Sequence, residues 1–266
     1  MVTKVPQAYT APLPAFHAAP ARPRNRWWRE VLLLIGMYVM YDGVRMLMAV
    51  GHGQAFADAH HVLGIERALR IADERTINHA VSGHPVLGVS MSYAYATLHY
   101  LVTPIVLVWL WKRRPWHYAR ARTTLVVATL LGLVGFWLFP TAPPRMLPGF
   151  IDTLGKYHEW GWWSGDASAP KGLGGLTNEF AAMPSLHVGW AAWCGWQIAR
   201  NTARRGLQVL AVAYPIFIVA VVIGTANHYI ADAVAGLAVI VVGAGVAGAA
   251  GRFRDRSPVP RMVSSS

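Results

Sequence analysis

Six apolar runs, separated by polar or proline-rich stretches, organise the chain. They cover residues 31–50, 87–111, 123–140, 182–199, 207–223 and 228–250. About 20 apolar residues in a helix cross the roughly 30 Å hydrocarbon layer of a bilayer. A helix also satisfies its own backbone there. The pattern therefore predicts an all-α integral membrane protein with six transmembrane helices, although the third and fifth runs are slightly short. The last run is rich in Ala, Val and Gly, which suits close helix packing. Between the first two runs, Val62, Ile65, Leu69, Ile71 and Ile77 recur at roughly helical spacing. That predicts an amphipathic helix lying on the membrane surface. Residues 141–181 are rich in Gly, Pro and Trp and have no period. So long a connection reads as a functional loop rather than a linker. Residues 1–25 and 252–266 read as flexible cytoplasmic tails around one membrane domain, 26–251. No repeat or soluble domain is legible.

Composition agrees with this reading. Apolar residues make up 55% of the chain and charged residues 14%, against about 25% charged in a soluble domain. One cysteine, Cys194, excludes an internal disulfide framework. The net charge of +12 is unevenly spread. The N-terminal tail, the segments after the second and fourth runs, and the C-terminal tail hold 17 of the 24 basic residues and only two acids, Glu30 and Asp255. That side carries +15 and the remainder −3. The positive-inside rule places both termini in the cytoplasm of a multi-pass cell-membrane protein. Trp27, Trp28, Trp111 and Trp116 fall at the inner boundary, where amphipathic rings are favoured. No cleavable signal peptide is evident. The dispersal of the cations over four juxtamembrane segments argues for topology and anionic lipid, not nucleic acid.

The polar residues at the outer ends of the runs are the candidate chemistry. FPTAPPRM places Arg145 just past the third run, AMPSLHVG places His187 at the start of the fourth, and GTANHYIADAVAG places Asn227, His228 and Asp232 at the start of the sixth. The charge-derived topology puts all of them on one face. His228 and Asp232 are four apart and share a face if both are helical. The carboxylate then fixes the imidazole tautomer, which suits a nucleophile or base. A structural polar pair is the other reading. Pro184 suits a first helical turn, Ser185 adds a hydroxyl, and a helix start attracts anions. His187 can then meet a phosphate held there, or it is an interfacial side chain. Arg145 offers a fork matching phosphate oxygens, or it snorkels to headgroups. Lys171 is a weaker second cation. His99, halfway along the second run, is either functional or a helix-to-helix hydrogen bond. Trp160, Trp162 and Trp163 either stack on a ring of the substrate or anchor their loop. A metal set of His187, His228 and Asp232 stays open on spacing alone.

PSLH followed by HYIAD resembles the type 2 phosphatidic acid phosphatase (PAP2) superfamily of membrane phosphatases and phosphotransferases. The second motif of that family reads Pro-Ser-x-His and its third ends in His, three residues, Asp. PTAPPR, MPSLHVG and NHYIAD together look closer to the branch of inositol phosphorylceramide synthase and bacterial inositolphosphotransferase-like proteins. The resemblance covers residues 93–236. It implies that His228 is a nucleophile forming a phosphohistidine, that Asp232 orients it, and that His187 protonates the leaving oxygen and then activates the acceptor. Arg145 and Ser185 would hold the phosphate, with His99, Asn227 and Lys171 as candidates for substrate contact. It implies neither metal nor cofactor, a membrane lipid as substrate, a polyol or sugar (or water) as acceptor, and an active site facing the extracytoplasmic side. A water-only phosphatase of lipid or polyprenyl phosphates and a non-catalytic transporter or lipid-binding protein are the alternatives. The usual motifs carry two further cations. Their positions here are Leu138 and Val222, and Met146 stands where a proline is usual.

Overall fold

The computed structural model describes residues 26–47, 52–163 and 179–256. Both predicted tails lie largely outside them, as does Lys171. Among the described residues every regular element is a helix: α1 (Trp27–Leu47), α2 (His52–Ala68), α3 (Glu74–Gly83), α4 (Pro85–Arg113), α5 (Pro115–Leu138), the short α6 (Thr153–Lys156), α7 (Leu186–Asn201), α8 (Arg205–Gly224) and α9 (Ile230–Arg256). Pro85 and Pro115 open α4 and α5, where a missing N–H removes nothing.

Four helices are long and apolar enough to cross a membrane: α4, α5, α8 and the 230–253 portion of α9. These mark a membrane protein. The first predicted span forms the 21-residue α1, which includes Arg29, Glu30, Asp42 and Arg45. The fourth forms α7, only 16 residues long, or about 24 Å at 1.5 Å per residue. α7 is the central helix, packed on α4, α8 and α9.

Small residues allow that packing. A Cβ on Gly236 would lie 2.2 Å from the Ser185 carbonyl oxygen, and one on Gly189 would lie 2.9 Å from the Gly236 oxygen. α7 and α9 therefore touch backbone to backbone near their N-terminal ends. Where lipid is as apolar as the side chains, such close approach supplies the packing energy. Lower down, Trp193 and Cys194 of α7 are buried against Leu107, Leu110 and Leu125.

The predicted surface helix is two helices, and the first of them also buries a face within the protein. Ala55, Ala59, Val62 and Leu63 of α2 are buried with Tyr229 and the 139–147 loop, whereas Ile65 and Leu69 are exposed. The small side chains let α2 lie close to that loop, and Ala142 N–H donates to the Ala55 carbonyl at 3.0 Å. Of the predicted apolar positions, Val62 lies on the buried face, and Ile65 and Leu69 lie on the outward one. Trp163 also departs from its expected role. It is fully buried, its indole N–H bonds the Leu154 carbonyl at 2.9 Å, and it packs edge-on against Tyr93. Trp160 and Trp162 remain exposed.

Candidate active site

Three loops meet above the C-terminal end of α5 and the N-terminal ends of α7 and α9. Thr141 N–H donates to Phe180 O (2.9 Å) and Ala182 N–H to Thr141 O (3.3 Å), tying the 139–147 loop to the lead-in of α7. Arg145 N–H donates to Ala226 O (2.8 Å), and the Tyr229 hydroxyl donates to Ala142 O (2.8 Å), tying the same loop to the lead-in of α9. These cross-links bring together residues that are 40 to 90 positions apart in sequence.

His228 lies before α9, not within it. Its contact with Asp232 is therefore not the helix-face pairing that a spacing of four suggests. Asp232 sits in the first turn and reaches back: its Oδ2 accepts the Tyr229 N–H at 2.9 Å and faces His228 Nδ1 at 3.3 Å. This is the acid half of a capping box. His228 Nδ1 also faces the Ala182 carbonyl at 2.8 Å. A carbonyl can only accept, so Nδ1 carries a proton, and in the neutral ring the lone pair is on Nε2. His228 and Asp232 are both buried.

His187 is the second residue of α7. Ser185 is the N-cap, its hydroxyl accepting the Val188 N–H at 3.4 Å, so Pro184 precedes the cap instead of opening the first turn. The His187 ring centre is 5.8 Å from that of His228. It stacks on Tyr95 at 4.4 Å and meets His99 edge-on at 4.3 Å. Its Nε2 is buried and makes no hydrogen bond. His99 bonds its own helix, Nδ1 to Tyr95 O at 3.1 Å, which leaves its ring as a wall beside His187.

Arg145 is nearly enclosed, with a side chain 7% exposed. Its Nη1 donates to Asn227 Oδ1 at 2.7 Å and its Nε lies 3.9 Å from Asp152 Oδ2. Asn227 in turn donates to the Thr225 hydroxyl at 2.9 Å. The structure thus gathers Arg145, Asn227, His228, Asp232, Ser185, His187 and His99 around one end of the bundle. The positions where cations are usual point elsewhere. Leu138 is 64% exposed on the outside of α5 and Val222 is fully buried in the core. Among the described residues no group of three or more His, Cys, Asp or Glu side chains is arranged to hold a metal ion.

A scan of protein-family models matches the PAP2 superfamily over residues 60–246. The chain belongs to the PAP2 superfamily. Its chemistry is accordingly that of phosphatases and phosphotransferases acting on phosphate esters. Comparison with curated proteins and with solved structures gives no match.

Several residues around this PAP2 site were not legible as such. Ala182 acts through its carbonyl, which any residue supplies. Asp152 caps α6 through the Gly155 N–H at 2.9 Å while facing Arg145. Glu66 and Glu74, both buried, reach the first turn of α9 from α2 and α3. The signal for Glu66 was present: it falls eleven residues after Ala55, on the same helical face as Ala59, Val62 and Leu63. An acid on a buried stripe needs a partner.

Proposed function

We propose that this PAP2 protein cleaves a lipid phosphate ester through a phosphohistidine on His228 and passes the phosphoryl-bearing group to an alcohol such as inositol, or to water. The carrying observation is the double restraint on His228 Nδ1 by Ala182 O and Asp232. It places a ring proton on Nδ1, so that the neutral imidazole presents its lone pair at Nε2, the form that attacks phosphorus.

In the first step the Nε2–P bond forms and the P–O bond to the leaving group breaks. His187 gives its proton to the departing oxygen. In the second step His187 takes a proton from the acceptor, whose oxygen bonds phosphorus as the Nε2–P bond breaks. Asp232 stabilises the imidazolium character that His228 acquires between the steps. Arg145, held by Asn227, presents its guanidinium to the equatorial oxygens as charge builds there. The Ser185 hydroxyl serves the helix cap, so its end of α7 contributes backbone N–H groups more than a side chain.

A lipid substrate fits a site at the end of a membrane bundle, with entry sideways from the bilayer. The charge distribution supports the extracytoplasmic face of the cell membrane. The likeness of PTAPPR, MPSLHVG and NHYIAD to the inositol phosphorylceramide synthase branch supports transfer over hydrolysis. The test is purified protein in lipid given labelled phosphatidic acid, a polyprenyl diphosphate and a phosphoinositide, with and without inositol. Phosphate release or headgroup transfer is expected from the wild type and from neither His228→Ala nor His187→Ala. Unchanged turnover in His228→Ala overturns the mechanism, and an inert wild type favours a binding or transport role.

A further inference from the structure

Three buried carboxyl groups cap the first turn of α9. Tyr229 N–H donates to Asp232 Oδ2 at 2.9 Å, Ile230 N–H to Glu74 Oε1 at 3.2 Å, and Ala231 N–H to Glu66 Oε1 at 2.7 Å. A helix start leaves its first N–H groups unpaired. Here each is met by an acid, and Glu66, Glu74 and Asp232 are 0%, 1% and 0% exposed. Asp232 comes from α9 itself. The two glutamates come from helices more than 150 residues earlier in the chain.

Accepting from the adjacent N–H groups of Ile230 and Ala231, the Glu74 and Glu66 carboxyls lie close together, both out of water. Two like charges sharing a dry site repel each other, so at least one of the pair carries a proton. Neither has a Lys or Arg partner within salt-bridge distance among the described residues. The residue immediately before this capped turn is His228, whose Nδ1 must stay aligned between Asp232 and Ala182 O. Any slippage of the turn moves both Asp232 and the His228 backbone.

We propose that Glu66 and Glu74 are a proton-sharing pair that positions His228 by clamping the first turn of α9 to the surface helices α2 and α3. As positioning residues they touch no substrate. The inference rests on the phosphohistidine reading for its effect on turnover, but the shared proton stands without it.

The clamp is sensitive to alkali. Burial above all, then the neighbouring Glu74 and the charge of Asp232, push the Glu66 carboxyl up to about 8, while the Ala231 N–H works in the other direction. The groups facing the pair are Asp232, with His228 beyond it, and Tyr229 on the lead-in of α9. On α2, Asp58 lies two turns away beside His61. None is a fixed cation. Once the shared proton leaves, two like charges lie side by side out of water, and the cap opens.

The experiment uses the full chain in lipid nanodiscs, as wild type, Glu66→Gln and Glu66→Ala. Infrared spectra across pH report protonated buried carboxyls, amide exchange reports Ile230 and Ala231, and turnover of the active lipid reports the site. The wild type is expected to show a protonated-carboxyl band that fades as pH passes about 8, together with a fall in kcat. Glu66→Gln keeps an acceptor for Ala231 and offers N–H to Glu74. It is expected to lack that band, keep near-wild-type kcat at neutral pH, and lose the alkaline fall. Glu66→Ala is expected to accelerate exchange at both amides and to lower kcat on the order of 10²-fold with little change in KM, as a small misplacement of a reacting group does. A band unchanged in Glu66→Gln, an alkaline fall that persists in Glu66→Gln, or wild-type exchange in Glu66→Ala overturns the proposal. A wild type with no turnover counts against the phosphohistidine reading alone, because the band and the exchange still decide the clamp.

Discussion

The Ser185 N–H donates to the backbone carbonyl of Asp232 at 2.9 Å, joining the cap of α7 to the first turn of α9. With the His228 Nδ1 contact to Ala182 O, this bond couples the two halves of the site. His187 follows Ser185 by two residues, and His228 is held by Asp232.

The coupling depends on Gly236, where a Cβ would lie 2.2 Å from the Ser185 oxygen. Gly236→Ala must push α7 and α9 apart. We expect a loss of about 1–3 kcal/mol, the usual range for overpacking, read as a lower unfolding midpoint in detergent. Turnover should fall further than stability, because the separation acts directly between His187 and His228.

Asp232→Asn tests the orienting role of the carboxylate. The amide keeps an acceptor for the Tyr229 N–H, but it presents a neutral group to His228. A kcat loss on the order of 10⁴-fold is expected, the scale found when an orienting aspartate of a catalytic triad is replaced by asparagine. Near-wild-type kcat with an intact fold would assign Asp232 to capping alone.

Arg145 and Asn227 form a 2.7 Å pair in which Asn227 holds the guanidinium. Arg145→Lys keeps the charge and loses the fork. It should weaken substrate binding and turnover together, while Asn227→Ala frees Arg145 and should act in the same direction more mildly. Measuring kcat and KM for both variants on the active lipid checks the ordering.

Ser185→Ala distinguishes a helix cap from a phosphate ligand. Loss of the bond to Val188 N–H should lower stability by about 1 kcal/mol. Substrate affinity should change little if the hydroxyl serves only the cap, and should fall if its free O–H donates to the phosphate.

Glu66 also makes stability depend on pH. Its carboxyl is about 8 in the folded chain against an ordinary 4.5. Between these values the folded state holds the proton more tightly than the unfolded chain does, so stability falls as pH rises. The contribution is complete below 4.5 and is lost as pH passes about 8. The unfolding midpoint of the wild type should therefore decline across this window more steeply than that of Glu66→Gln.

The sequence by itself determined the solvent and the family. Apolar runs near 20 residues have no other economical reading, and they fix a helical membrane protein because helices satisfy backbone groups locally. PSLH and HYIAD carried the PAP2 resemblance because their residues are close in sequence and their spacing is therefore visible. Tertiary structure decided the rest. α7 is a short central helix because its neighbours enclose it, which no local pattern reports. The partner of His228 includes a backbone carbonyl, which has no residue signature. α2 buries Ala55 and Ala59 beside Val62 and Leu63 because small alanines let the helix lie close to a neighbouring loop, a contact that no local pattern reports. The capping of α9 by Glu66 and Glu74 joins residues 156 and 165 positions apart. Hydrogen bonds over such distances follow from how helices cross, and only the folded chain specifies the crossing.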